Sequence, residues 1–485
     1  MSDLPVTVRE SRSFGFAVGL AITLVSGFQL FCVMDLPLAA DDYYVLETVR
    51  GFGGLADCLD LSLHPLRPLL FGLFYMMRDL LLSDPALFRV ITLALHLGAL
   101  FFVNRVARQL GMGRVAAAVA TCACAAFPHT TNLAWCSAVG WVGRQVFVLG
   151  SLSYFLSWRE SRGFRDVVLC TLFFVLALGF HQGSFLIPGF FLIIEVFAFT
   201  RLPTPGWRRA FGNPLLLLVA GLSLLYLVYL GVFREQRYHG FQFLDVLVPN
   251  LAKGALSIFP GAFRSQVIDG LRGSGTDFGL AVALYCLAPL TYLALLSRRG
   301  VARALGICLL VELALPMVVS GFTQRYCYLA SAFFCVALVQ VVAEVQGLTR
   351  IVASVILLIL MTFWVLDSGR EIQEHIEAGA IVENLIADTS RFCAESGEGG
   401  IALVDVPDGW GSDLTIPVFR WAFPAALRLH RVQKEVLLFG RSRDHRPGEA
   451  TLISDQGLRK LDARKGMQVF EFDTTTLRLR PYAGG

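Results

Sequence analysis

Two adjacent carboxylates, Asp41 and Asp42, stand in Ala39-Ala40-Asp41-Asp42-Tyr43-Tyr44, just past the first apolar run, Phe14 to Val33. A carboxylate held beside a lipid headgroup can act as general base on a hydroxyl; an acidic pair is equally an ordinary helix N-cap. The same loop continues to His64-Pro65-Leu66-Arg67-Pro68-Leu69, a Pro-bracketed arginine opening another apolar run. Arginine holds and neutralises phosphate bidentately, which makes His64 and Arg67 candidates for a phosphate leaving group. Arg325 and Tyr326, in Thr323-Gln324-Arg325-Tyr326-Cys327-Tyr328, form a second such candidate; the alternative is an arginine snorkelling at a helix end. Arg89 and Arg144 open apolar runs on the same side and are candidate substrate contacts. His129, in Phe127-Pro128-His129-Thr130-Thr131-Asn132, either bonds a sugar or caps a turn, and His181-Gln182 reads as a satisfied turn pair. Glu195 and Glu312 lie inside apolar runs, where acids are functional candidates by default and a buried partner is the equal alternative.

These residues need a scaffold, and the composition says which kind. The 485 residues are 55% hydrophobic and 16% charged, where a soluble domain carries about 25% charged residues. The deficit falls in residues 1–367, in recurring apolar runs of about 18–22 residues, long enough to cross a hydrocarbon core of about 30 Å. The expected class is an all-α polytopic membrane protein with a small C-terminal α+β domain. A nucleic-acid partner is excluded by a net charge of +4 that forms no basic patch. The first run is too long for the h-region of a signal peptide, and Leu38-Ala39-Ala40 is a poor cleavage site. The cysteines form no CxxC pair and sit mostly in apolar runs, as small core residues do. Arginine greatly outnumbers lysine, which fits a bacterial chain of high genomic GC content.

Orientation follows from the arginines, which collect on the cytoplasmic side. With Arg9 and Arg12 inside, spans fall near 14–34, 86–104, 114–128, 138–157, 166–182, 184–200, 214–233, 277–297, 301–320, 327–345 and 350–367. That is about eleven crossings. Leu66–Leu82, with Arg67, Arg78 and Pro68, reads as interfacial, which leaves Arg105, Arg108 and Arg114 cytoplasmic. The long loop 234–276 and the tail then lie outside. In the tail, Ser368–Ala394 has helical periodicity, and Ile401–Val406, Glu435–Phe439, Ala450–Ile453 and Met467–Phe472 read as strands. The expected division is a membrane domain, 1–367, and an extracytoplasmic α+β domain, 368–485.

Together these motifs resemble the GT-C superfamily of integral-membrane glycosyltransferases, especially protein O-mannosyltransferases and bacterial aminoarabinose transferases. The resemblance covers residues 1–367. Asp41-Asp42 matches the family's acidic pair in the first external loop, His64–Leu69 its His/Arg element, His129 to Arg144 its His-plus-Gly-Arg stretch, and Arg325-Tyr326 its element near the lipid phosphate. The chain departs from the pattern at Asn132 and Gln145, where acids are usual, and no tetratricopeptide repeats follow. The resemblance implies a sugar donor on a polyprenyl phosphate and an acceptor hydroxyl on a protein, lipid or glycan. It implies inversion, with Asp41 as base and Arg67 and Arg325 on the departing phosphate. Asp42 would orient the acceptor or hold a divalent metal; relatives differ on metal, and the requirement stays open. The expected location is a bacterial inner membrane, N-terminus cytoplasmic. Two other classes fit the bulk features: a flippase for a lipid-linked glycan, and a non-catalytic envelope assembly protein.

Overall fold

The computed structural model describes residues within 22–39, 41–59, 67–199, 206–233, 300–319 and 327–396, and most of 400–440, 451–454 and 467–482. His64, Arg325 and Tyr326 lie outside the described residues, as do the expected span 277–297 and the loop 234–276.

The chain is mostly helical with a small C-terminal sheet. Among the described residues its helices include α1 (Asp41–Arg50), α2 (Leu55–Leu59), α3 (Pro68–Ser83), α4 (Ala86–Gln109), α5 (Arg114–Ala126), α6 (Thr130–Ala134), α7 (Val139–Ser161), α8 (Phe164–Phe180), α9 (Ile187–Phe197), α10 (Gly206–Phe211), α11 (Pro214–Phe233), α12 (Gly300–Val319), α13 (Cys327–Glu344), α14 (Gly347–Glu395) and α15 (Phe423–Leu429). Among the described residues, α4 and α14 are long and apolar enough to cross a membrane by length and composition. Helix α3 is not. Its 16 residues rise about 24 Å at about 1.5 Å each, short of a hydrocarbon core of about 30 Å. Helix α14 runs unbroken for 49 residues, so the backbone has no break near 367.

Two compact units emerge. The first holds residues 1–31, 93–129 and 141–368. Its core is packed through small residues: α5 presents Ala117, Ala120 and Ala123, all fully buried, on the helix that lies against α13. Small residues let helix backbones approach closely. Two glycines of α7 do the same: a Cβ at Gly143 or Gly150 would run into the rings of Phe180 or Phe173 on α8. Trp364 of α14 fills the space beside Phe127 and Phe334.

The second unit holds residues 32–92, 130–140 and 369–485. Here α1 and α2 pack on α3, and α15 packs on α1. The sheet is built from β1 (Ile401–Val404), β4 (Val436–Gly440), β5 (Thr451–Leu452), β6 (Gln468–Asp473) and β7 (Arg478–Pro481), in order β5-β4-β1-β6-β7; β2 (Gly409–Trp410) and β3 (Ile416–Pro417) form a separate hairpin. The strands are parallel except β7, antiparallel to β6. β1 is the continuous apolar run expected of a strand covered on both faces, and all four residues are fully buried. Phe392, near the end of α14, stacks on Phe470 of β6 with ring centroids 3.9 Å apart.

Candidate active site

Helix α1 begins at Asp41, with both acids in its first turn, where carboxylates suit the free N–H groups and the helix dipole. The two acids then diverge. Asp42 is buried. Its Oδ2 accepts from the Ala39 and Cys136 N–H groups at 3.2 and 3.3 Å, and its Oδ1 from Ser137 N–H at 2.5 Å. Burial pushes its pKa up to about 6, against the opposing pull of those N–H groups and of Arg89. Asp41 is half-buried beside it.

Two further ties hold this segment to residues 134–137. Arg89 is fully buried, and all its bonds go to main-chain carbonyls. Nε donates to Ala134 at 3.1 Å, Nη1 to Met34 at 2.7 Å and Nη2 to Pro37 at 3.2 Å. Trp135 Nε1 donates to the Ala39 carbonyl at 3.0 Å. Arg89, expected at the substrate, is therefore a clamp on the strand of chain that delivers the acids. Arg67 takes the N-cap position of α3, half-buried, with Pro68 opening the helix as proline does.

A metal role for Asp42, one of its two open roles, does not fit its surroundings. Its oxygens face three N–H donors, which compete with a cation for the same lone pairs. Among the described residues, no three His, Cys, Asp or Glu side chains converge on one point.

In the first unit His129 is buried. Its Nε2 lies 3.0 Å from the Cys124 carbonyl, and its ring packs on Tyr328 with centroids 4.5 Å apart. His96 completes this cluster, hydrogen-bonded to Tyr328 and 5.6 Å from the His129 ring. Sequence reasoning passed over His96 and chose Tyr326 rather than Tyr328. The signal for His96 was present, because an ionisable residue in an apolar run is a candidate by default.

Arg144 and Glu312 are each other's partner. Both are buried; Nη2 reaches Oε2 at 2.8 Å, the second prong joins Nη1 to Oε1, and Nη2 also donates to the Gly183 carbonyl at 3.0 Å. Glu195 pairs with Arg159 at 2.8 Å and Arg209 at 3.5 Å. His181 accepts from Gly183 N–H at 3.1 Å, a satisfied turn.

No protein-family profile matches the chain, and no curated protein matches it in sequence. Its fold is similar to that of a solved structure, ArnT from Cupriavidus metallidurans bound to undecaprenyl phosphate, with a TM-score of 0.50 and 13% identity. The match covers 96% of this chain and 94% of that chain. At that identity the likeness is one of fold alone.

Proposed function

We propose that this GT-C-like chain is an integral-membrane glycosyltransferase that moves a sugar from a polyprenyl-phosphate donor to an acceptor hydroxyl. The observation that carries the reading is the fixation of the acidic turn. Asp42, Arg89 and Trp135 tie residues 34–42 to residues 134–137, and Asp41 is presented on the turn so held. The match to a structure bound to undecaprenyl phosphate supports a polyprenyl-phosphate lipid as the partner.

In this reaction Asp41 takes the proton of the acceptor hydroxyl. The oxygen attacks the anomeric carbon, and the bond from that carbon to the phosphate oxygen breaks with inversion. The polyprenyl phosphate leaves with the bonding pair, and Arg67 neutralises it. His64, Arg325 and Tyr326 join Arg67 at that phosphate in the proposal. About eleven spans, the division at 367, a cytoplasmic N-terminus and transfer at the outer face of a bacterial inner membrane belong to the same proposal.

The test is Asp41→Asn in purified full-length protein, given a panel of radiolabelled polyprenyl-phosphate sugars. The variant keeps the size and most hydrogen bonding but cannot accept the proton. Transfer should fall by about 10²–10⁴-fold, the usual worth of general base catalysis, with donor binding unchanged. Full turnover would remove Asp41 as base.

A further inference from the structure

Helix α1 buries one face through Tyr43, Val45, Leu46 and Val49, and part of what covers it comes from far along the chain. The Tyr43 ring packs on Phe419 and His430, with centroids 6.0 and 6.2 Å away. Phe419 in turn meets Phe423, the first residue of α15, edge-on at 4.5 Å. One turn beyond Tyr43, on the same face, Glu47 is gripped by Arg428 of α15. Nη2 donates to Oε2 at 2.9 Å, and Nε donates to Oε1. The two partners lie 381 positions apart in sequence. Upstream of the acids the tail touches again: a Cβ at Gly379 of α14 would come within 2.8 Å of Pro37.

The acid-bearing helix is thus pinned at its first turn by Asp42 and braced along its length by α15. We infer that Arg428, acting through Glu47, is a positioning residue for the Asp41 carboxylate, so that α15 forms a working wall of the transfer site. The inference rests on the reading of Asp41 as base. Without the brace, α1 can swing about the Asp42 pin and turn the Asp41 side chain. A misplacement of about 1 Å costs about 100-fold in rate, and a fraction of that displacement about tenfold. The exposure of the pair makes it a clean probe. The Arg428 side chain is 61% exposed, and an exposed pair adds little to folding.

The experiment compares wild-type full-length protein with Arg428→Ala, Arg428→Lys and the charge swap Glu47→Arg/Arg428→Glu. Turnover of the radiolabelled polyprenyl-phosphate sugars is measured, together with amide hydrogen exchange. In Arg428→Ala, kcat should fall about tenfold while donor KM stays within about twofold. Exchange should quicken in residues 43–50 and stay unchanged in 86–109. Arg428→Lys should recover part of the loss and the charge swap most of it. Unchanged kcat and exchange in Arg428→Ala would overturn the inference, as would equal losses in the alanine variant and the swap. If the wild-type protein transfers no sugar, the functional reading fails by itself, and the exchange data still decide whether α15 braces α1.

Discussion

Asp42 and Asp41 look interchangeable in sequence, and the fold separates them by what their oxygens meet. Asp42 accepts three backbone N–H groups, and with a pKa near 6 it loses acceptor capacity in mild acid. Protonation should loosen the Cys136–Ser137 tie, so transfer should decline as pH drops below about 6. A pH–rate profile of the wild type checks this, and an unchanged rate down to pH 5 would dissociate the tie from catalysis. Stability follows different signs. The pKa of Asp42 is raised from 3.8, so its contribution is full below 3.8 and lost as pH rises through about 6. Burial pushes His375 of α14 down to about 4, so its contribution is full above about 6.5 and lost as pH falls through about 4. Between about 4 and 6 the two slopes oppose. His375→Phe removes one of them, and its melting temperature should fall less on acidification across that window than the wild type's does. The sequence showed that acids occupy a turn beside an apolar run. It could not show their N–H partners, because Cys136 and Ser137 carry no side-chain mark of that role.

At the level of elements, the helices were legible because their apolar runs are long. The expected 214–233 and 327–345 appear as Pro214–Phe233 and Cys327–Glu344, and all four expected strands fall within two residues of β1, β4, β5 and β6. Other short pieces were missed: β2, β3, β7 and α15 have at most seven residues each, too few to show a period. Which helix faces which was also hidden, since Arg144 on α7 and Glu312 on α12 are separated by 168 positions. This buried pair makes a prediction. Glu312→Leu strands the Arg144 charge and should cost about 3–5 kcal/mol. Arg144→Met/Glu312→Leu removes both charges and should recover most of that loss, measured by thermal unfolding in detergent. The double variant also separates two roles. If Arg144 serves only to join α7 to α12, the folded double variant keeps its transfer rate. If it contacts substrate as the sequence suggested, the protein folds and the rate collapses.

For the molecule as a whole, composition announced a membrane chain, whereas the assembly of residues 32–92, 130–140 and 369–485 into one unit had no local signature. Contacts such as Glu47 with Arg428 are set by the fold, and each residue alone resembles any surface charge. Topology remains the property most open to direct test, and α3 decides it. Were α3 a span, every later loop would change sides, and Arg105, Arg108 and Arg114 would face outward against the tendency of short arginine-rich loops to stay inside. With 16 residues it falls short of the core by roughly 6 Å. Arg67 at its N-cap and the Arg78 guanidinium 4.5 Å over the Tyr75 ring suit a helix lying along the headgroups. Reporter fusions or cysteine labelling should therefore place positions 48 and 420 on the outer side and 110 and 163 in the cytoplasm. A reporter at 110 found outside would mean that α3 crosses. The acidic turn and the segment from 369 onward would then fall on opposite sides of the membrane. Residues that share one compact unit, joined by the Arg428 ion pair to Glu47, cannot meet that condition. The same labelling experiment thus tests the orientation and the brace on α1 together.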